Sequence, residues 1–124
     1  MSNKIILAVD DDEDILELVS VAVAMADYKF IGVTSGSECL EILRETNPCL
    51  IILDIEMPEM DGFQVLEKIR EIFPKRLAPV AFLTSHKDFD MVERGIELGC
   101  KSFILKPINM RRLEQKIEEL ASGR

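Results

Sequence analysis

Residues 50–62 read LIILDIEMPEMDG: a run of apolar residues, then an aspartate, then an acidic loop that ends in glycine. Leu50–Leu53 is apolar throughout and does not alternate, which is typical of a strand buried on both faces of a parallel sheet. Gly62 leads into a stretch of helical periodicity at Phe63–Ile72, and Pro74 follows the end of that stretch. The segment therefore predicts a buried strand, an acidic loop and a helix.

Similar strand–helix pairs precede and follow this segment. Short apolar runs predict strands at Ile5–Val9, Phe30–Val33, Leu50–Leu53, Val80–Leu83 and Phe103–Leu105. Longer periodic stretches predict helices at Asp14–Ala26, Ser37–Glu45, Phe63–Ile72, Phe89–Leu98 and Met110–Ala121. Ser35-Gly-Ser-Glu38 has the spacing of a capping box. Successive β-α units predict an α/β fold with a doubly wound open sheet of parallel strands and helices on both faces.

Composition limits the class of protein. The 124 residues carry 48% hydrophobic and 31% charged side chains, as in an ordinary globular domain. The net charge of −8 and the lack of clustered lysine or arginine argue against direct binding of nucleic acid or of a membrane surface. The cysteines have no metal-binding spacing and are expected to be packing residues in a reducing compartment: Cys39, Cys49 and Cys100. We therefore expect a cytoplasmic protein, a single domain over residues 1–124 and a monomer.

Polar residues follow four of the predicted strands. The first strand leads into Asp10-Asp-Asp12, the third into Asp54, the fourth into Thr84 and the fifth into Lys106-Pro107. The carboxyl ends of parallel strands share one edge of the sheet, where such folds bind ligands. Each residue alone is as consistent with a solvated turn or a helix cap. Together, carboxylates at close range would repel one another, and Mg²⁺ with oxygen ligands removes that cost.

With this set of polar residues, the chain resembles the response-regulator receiver domains of two-component signalling. The motifs that carry the resemblance are Ile5-Ile-Leu-Ala-Val-Asp-Asp11, Ile51-Ile-Leu-Asp-Ile-Glu-Met-Pro-Glu-Met-Asp-Gly62, Ala81-Phe-Leu-Thr-Ser85 and Phe103-Ile-Leu-Lys-Pro107. The second motif is the most specific, and the resemblance covers essentially the whole chain. It implies five parallel strands in the order 2-1-3-4-5.

The resemblance also implies the roles of individual residues. Asp54 resembles the phosphoacceptor, assisted by Lys106 and Thr84. The Mg²⁺ ligands would be Asp11 directly, Asp10 through water, Asp54, and the backbone carbonyl of Glu56. The Lys106–Pro107 peptide bond resembles one that is cis in the family. Because of the length of the acidic run, Asp11 and Asp12 remain an alternative metal-binding pair.

A switch and a partner follow from the same resemblance. Thr84 would turn toward the phosphoryl group, and Phe103 would rotate into the space that Thr84 vacates. The alternative is that Phe103 is a core residue with no part in switching. Glu56 and His86 match positions that tune phosphoryl lifetime, although His86 is as well explained as an exposed loop residue.

The expected donor is a histidine kinase or a histidine phosphotransfer protein, and the expected output is an unknown protein target. The domain would catalyse only its own phosphorylation and slow autodephosphorylation, and it is not expected to be an enzyme in any other sense.

The first predicted helix carries more apolar residues than one core-facing stripe needs. Leu16, Val19 and Val23 suffice for the core. A second stripe is predicted either to widen the core face or to dock the phosphoryl donor: Ile15, Leu18, Ala22 and Met25.

Three alternative functions fit the sequence less well than a phosphorylated receiver. A phosphatase of the haloacid dehalogenase type needs a second aspartate two residues after the nucleophile, where this chain has Glu56. A flavodoxin-like carrier needs a phosphate-binding loop after the first strand, where this chain has acids. A degenerate receiver would not be phosphorylated and would serve only as a protein-interaction module. Separately, no output domain is expected to follow the last helix.

Overall fold

The computed structural model describes residues 4–76 and 78–123. The strands are β1 (Ile5–Val9), β2 (Lys29–Val33), β3 (Leu50–Asp54), β4 (Val80–Thr84) and β5 (Ser102–Leu105). The helices are α1 (Glu13–Met25), α2 (Gly36–Ile42), α3 (Gly62–Ile72), α4 (Phe89–Glu97) and α5 (Met110–Ala121). All paired strands are parallel and lie in the order β2-β1-β3-β4-β5, which confirms the predicted fold.

The sheet separates two apolar cores. Alternate residues of each strand point to opposite faces, so that Ile6 and Ile52 pack with α1 and α5. Leu7 and Leu53 pack on the other face with residues of α2 and α3. Because β1, β3 and β4 are covered on both faces, their sequences are apolar at nearly every position.

Helices α1, α2 and α3 each begin one residue earlier than predicted, whereas α4 and α5 begin at the predicted residue. Asp12 caps α1 by accepting from the backbone N–H of Asp14 at 2.9 Å. Ser35 caps α2, but the capping box predicted there is only half formed. The Glu38 carboxylate accepts from the backbone N–H and the hydroxyl of Thr34, at 2.8 Å each, and does not reach the N–H of Ser35.

Helix α2 is shorter than predicted because the chain tightens into turns after Ile42, where the backbone N–H groups of Arg44 and Glu45 donate to the carbonyls three residues earlier at 3.1 Å. The guanidinium of Arg76 donates to the carbonyls of Leu43 and Thr46 at 2.9 Å.

A complete capping box, which sequence analysis missed, starts α3: Asp61 and Gln64 exchange hydrogen bonds of 2.9 Å. This cap fixes the helix that follows the acidic loop after Asp54.

Candidate metal and phosphoryl site

The carboxyl ends of β1, β3, β4 and β5 bring together the polar residues that follow them. Asp10 and Asp54 are 1% and 0% exposed, and Thr84 is 1% exposed. They are the buried polar or charged residues of the part of the chain that the structure describes. Since burying such groups is costly unless they are paired, their presence at one edge marks this edge as the candidate site.

A lysine from the end of β5 faces both buried carboxylates. Lys106 Nζ lies 3.0 Å from Oδ2 of Asp10 and 3.3 Å from Oδ1 of Asp54. Burial lowers the pKa of Lys106, but its hydrogen bonds and ion pairs with Asp10 and Asp54 outweigh burial and raise the pKa overall. The ammonium therefore stays charged. The Lys106–Pro107 peptide bond next to it is cis, as the resemblance implies.

The carboxyl group of Asp54 is held in an unfavourable environment for its charge. Burial and the nearby charge of Asp10 raise the pKa of Asp54 from 3.8 to about 7, against the lowering effect of Lys106. Its Oδ2 atom is buried and accepts no hydrogen bond from any described residue. A buried anion with an unused oxygen can accept a cation or act as a nucleophile.

Three carboxylates at this edge fit a divalent cation. One oxygen from each of Asp10, Asp11 and Asp54 can be chosen so that all lie within 4.8 Å of one another. Asp11 is exposed, so the cluster opens to solvent on that side. The unused Oδ2 of Asp54 and the all-oxygen donor set suit Mg²⁺, which keeps several waters of its own. When bound, Mg²⁺ would offset the negative charge that the three carboxylates bring together.

The alternative metal pair of Asp11 and Asp12 is not assembled. The Asp12 carboxylate accepts from Asp14 N–H as the N-cap of α1. Asp10 instead shares the cluster, with its Oδ1 held by the N–H of Asp12 at 2.9 Å. A helix cap and a member of the carboxylate cluster are thus distinct neighbours in one acidic run.

Thr84 and Glu56 meet beside this cluster. Thr84 Oγ1 donates to Glu56 Oε2 at 2.8 Å, and the backbone N–H of Ser85 donates to Glu56 Oε1 at 3.3 Å. His86 is exposed, and its backbone N–H donates to Thr84 Oγ1 at 3.0 Å. The sequence indicated Glu56 and His86 as neighbours of the site, but no sequence signal indicated that the Glu56 side chain bonds Thr84.

The ring of Phe103, a residue of β5, packs between Phe82 of β4 and Gly95 of α4. Its ring centroid is 5.8 Å from that of Phe82, whose ring meets Phe63 edge-on at 5.1 Å. A Cβ atom on Gly95 of α4 would lie only 2.4 Å from Cζ of Phe103. The ring therefore occupies a space that exists because position 95 is glycine.

The predicted second stripe of α1 is wrong at one position. Ala22 is 0% exposed because it faces the sheet between Val19 and Val23, so it belongs to the core. Ile15 is half-buried and packs against the same core. Leu18 and Met25 are 41% and 58% exposed, and exposed Val21 lies beside them on α1.

Comparison with known proteins agrees with this architecture. The family model described as "Response regulator receiver domain" matches residues 6–118. The alkaline phosphatase synthesis transcriptional regulatory protein PhoP of Bacillus subtilis is 33% identical over 119 residues, which are 95% of this chain and 48% of that protein. The chain thus spans about half the length of the curated relatives it matches.

Solved structures give the same result. Chemotaxis protein CheY4 of Vibrio cholerae superposes with a TM-score of 0.89 at 26% identity, covering 96% of this chain and 99% of that one. The signal receiver domain of a putative Luxo repressor protein from Vibrio parahaemolyticus superposes with a TM-score of 0.90 at 27% identity, covering 98% and 92%. No described helix is long and apolar enough to span a membrane. With its strand order, its acidic edge and these matches, the chain belongs to the response regulator receiver domain family of two-component systems.

Proposed function

We propose that this domain is phosphorylated on Asp54 in a Mg²⁺-dependent reaction and signals through the resulting change at β4 and β5. The observation that carries the proposal is the Asp54 carboxylate itself. It is fully buried, it faces the ammonium of Lys106, and its Oδ2 has no hydrogen-bond donor among the described residues. The response regulators that the chain matches are signalling proteins, so the proposed reaction is a signal and not a metabolic conversion.

The chemistry follows from positioning and neutralisation of charge. A carboxylate oxygen of Asp54 attacks the phosphorus atom of a phosphohistidine, the P–N bond breaks, and its electron pair stays on the imidazole nitrogen. Lys106 faces the developing charge from the end of β5. Asp10, Asp11, Asp54 and the backbone carbonyl of Glu56 are the proposed ligands of Mg²⁺, and the fit of the acidic cluster supports the first three.

The proposed switch couples Thr84 to Phe103. When Thr84 turns toward the phosphoryl group, Phe103 rotates away from Gly95 toward the space that Thr84 leaves. The ring contacts of Phe103 with β4 and α4 support this coupling, because a change at either element displaces the ring. The surface of α4, β5 and α5 would then be presented to a protein target.

The proposed phosphoryl donor is a histidine kinase or a histidine phosphotransfer protein in the cytoplasm. Exposed Leu18 and Met25 of α1, with Val21, are the proposed docking surface. Apolar side chains exposed together on one helix favour contact with a partner helix. Glu56 and His86 are the proposed residues that set phosphoryl lifetime through slow autodephosphorylation.

The experiment is incubation with acetyl phosphate followed by intact-mass measurement. We expect one added phosphoryl group with Mg²⁺, none with a chelator, and none on Asp54→Asn. Asp14→Asn is the matched control, since it removes an exposed acid outside the cluster. An adduct on Asp54→Asn would refute the assignment. A wild-type protein that neither forms an adduct nor binds beryllofluoride would instead favour a degenerate receiver.

A further inference from the structure

The side chain of Glu56 covers the donors at the end of β4. Its two carboxylate oxygens accept from Thr84 Oγ1 at 2.8 Å and from the Ser85 backbone N–H at 3.3 Å. Thr84 is 1% exposed, whereas Glu56 is exposed. A surface carboxylate thus reaches over a buried hydroxyl, and an oxyanion already occupies these donors before any phosphorylation.

The hydroxyl of Thr84 cannot serve a second anion at the same time. A hydroxyl has one proton to donate and two acceptor positions. Thr84 Oγ1 accepts from His86 N–H at 3.0 Å, and its proton is directed to Glu56 Oε2, with the His86 carbonyl 3.1 Å away as the alternative acceptor. If Thr84 is to donate to a phosphoryl oxygen, its bond to Glu56 has to break.

We propose that Glu56 is an internal competitor of the phosphoryl group for the donors of Thr84 and Ser85. This inference rests on the proposed function of Asp54. Glu56 acts through Thr84 and is therefore a positioning residue: it stabilises the unphosphorylated arrangement and opposes the turn of Thr84. The negative charge of Glu56 is also close enough to Asp54 to contribute to the raised pKa of that carboxyl group.

Two substitutions separate hydrogen bonding from charge. Glu56→Gln keeps an acceptor oxygen within reach of Thr84 but removes the charge. Glu56→Met has a similar length and removes both. Repulsion alone predicts the same effect for the two variants, whereas competition for donors predicts a larger effect for Glu56→Met. Glu59→Gln is the matched control, because it removes one exposed charge from the same loop.

The first measurement is titration of each Mg²⁺-loaded protein with beryllofluoride, followed by amide NMR. Since a hydrogen bond to a charged group is involved, we expect Glu56→Met to bind about tenfold more tightly than wild type, with Glu56→Gln in between. Equal affinities of the Met and Gln variants, or wild-type affinity of Glu56→Met, would overturn the competition.

The second measurement needs neither metal nor beryllofluoride. In the metal-free protein, loss of its acceptor should move the Ser85 amide proton upfield and speed its exchange in Glu56→Met, but not in Glu59→Gln. An unchanged Ser85 amide would overturn the inference directly. If no protein binds beryllofluoride while Ser85 still responds to Glu56→Met, the proposed function fails and the Glu56 contact stands, so the two failures are distinguishable.

Discussion

Lys106 Nζ donates to Oδ1 of Asp54 at 3.3 Å, although the two residues are 52 positions apart in the chain. The contact exists because both residues lie at carboxyl ends of parallel strands, with β4 between β3 and β5. One ammonium thereby serves two buried carboxylates, since Asp10 Oδ2 lies 3.0 Å from the same nitrogen. The site is left with more buried negative charge than Lys106 can balance, and the first two predictions follow from that excess.

Asp54→Asn should stabilise the metal-free protein, and more so at high pH. Burial and the charge of Asp10 raise the pKa of folded Asp54 from 3.8 to about 7. Between these values the folded carboxyl binds a proton that the unfolded one has lost, so the free energy of unfolding of the wild type falls as pH rises. We expect a gain of about 1–3 kcal/mol at pH 8 and a smaller one at pH 5, by urea unfolding. A gain independent of pH would contradict this account.

Mg²⁺ should stabilise the fold through the same cluster. At a hundredfold excess over Kd, a ligand bound only by the folded state adds about 2.7 kcal/mol. Asp11 is exposed, so Asp11→Asn should leave the metal-free stability unchanged but weaken the response of the melting temperature to Mg²⁺. Asp14→Asn removes an equal charge from the same acidic run and should respond like wild type. Equal responses of the two variants would remove Asp11 from the proposed metal site.

Gly62→Ala should disturb Asp54, the proposed phosphoacceptor. A Cβ atom at position 62 would lie 2.4 Å from the backbone oxygen of Asp54, and neither backbone segment can yield easily. We expect a loss of about 1–3 kcal/mol in the free energy of unfolding, together with slower phosphorylation. Gly32→Ala is the control, because the three atoms nearest to its Cβ would all belong to side chains: two atoms of the Phe30 ring at 2.8 Å and Leu16 Cδ1 at 3.6 Å. Similar losses in both variants would argue against a specific role of Gly62.

Gly95→Ala should displace Phe103 without phosphorylation. The added methyl group would lie 2.4 Å from Cζ, the far end of the ring, so the ring is expected to move and not the helix. Nuclear Overhauser contacts between the Phe103 and Phe82 rings should weaken. Ile96→Ala, at the neighbouring exposed position, should leave them intact. If the contacts persist in Gly95→Ala, glycine at position 95 does not hold the ring in place.

Leu18→Arg should slow phosphorylation by a protein donor while leaving phosphorylation by acetyl phosphate unchanged. Leu18 is 41% exposed, so the substitution should fold, but the charge would be buried if a partner helix packs on α1. Ile72→Arg is the matched control, at an equally exposed apolar residue of α3. Comparable rates for both variants with a phosphohistidine donor would remove the docking surface from the account.

The fold was largely predictable because its signals are local or topological. Strands buried on both faces, such as the one that contains Leu50–Leu53, are apolar along nearly their whole length, and short crossover connections leave few arrangements of the sheet. The turn after α2 was not predictable, because its carbonyls at Leu43 and Thr46 accept hydrogen bonds from Arg76, a residue at least thirty positions away. The sequence does not separate buried Ala22 from exposed Leu18 and Met25, because an alanine at the edge of an apolar stripe carries no signal of its own.

The site was predictable as a set of residues and not as a geometry. Parallel strand ends must share an edge, so Asp10, Asp54, Thr84 and Lys106 were expected to meet. Which acid caps α1 and which joins the cluster depends on side-chain direction, and only the structure separates Asp12 from Asp10. The bond between Glu56 and Thr84 joins two loops and has no local sequence signature.

The most direct test of the central claim locates the phosphoryl group. After reaction with acetyl phosphate and Mg²⁺, treatment with borohydride reduces an aspartyl phosphate to homoserine, which peptide mass spectrometry assigns to a position. We predict homoserine at position 54 and nowhere else, absent without the donor. Homoserine at position 10 or 11, or a phosphoryl group on His86, would contradict the assignment of Asp54 as the phosphoacceptor.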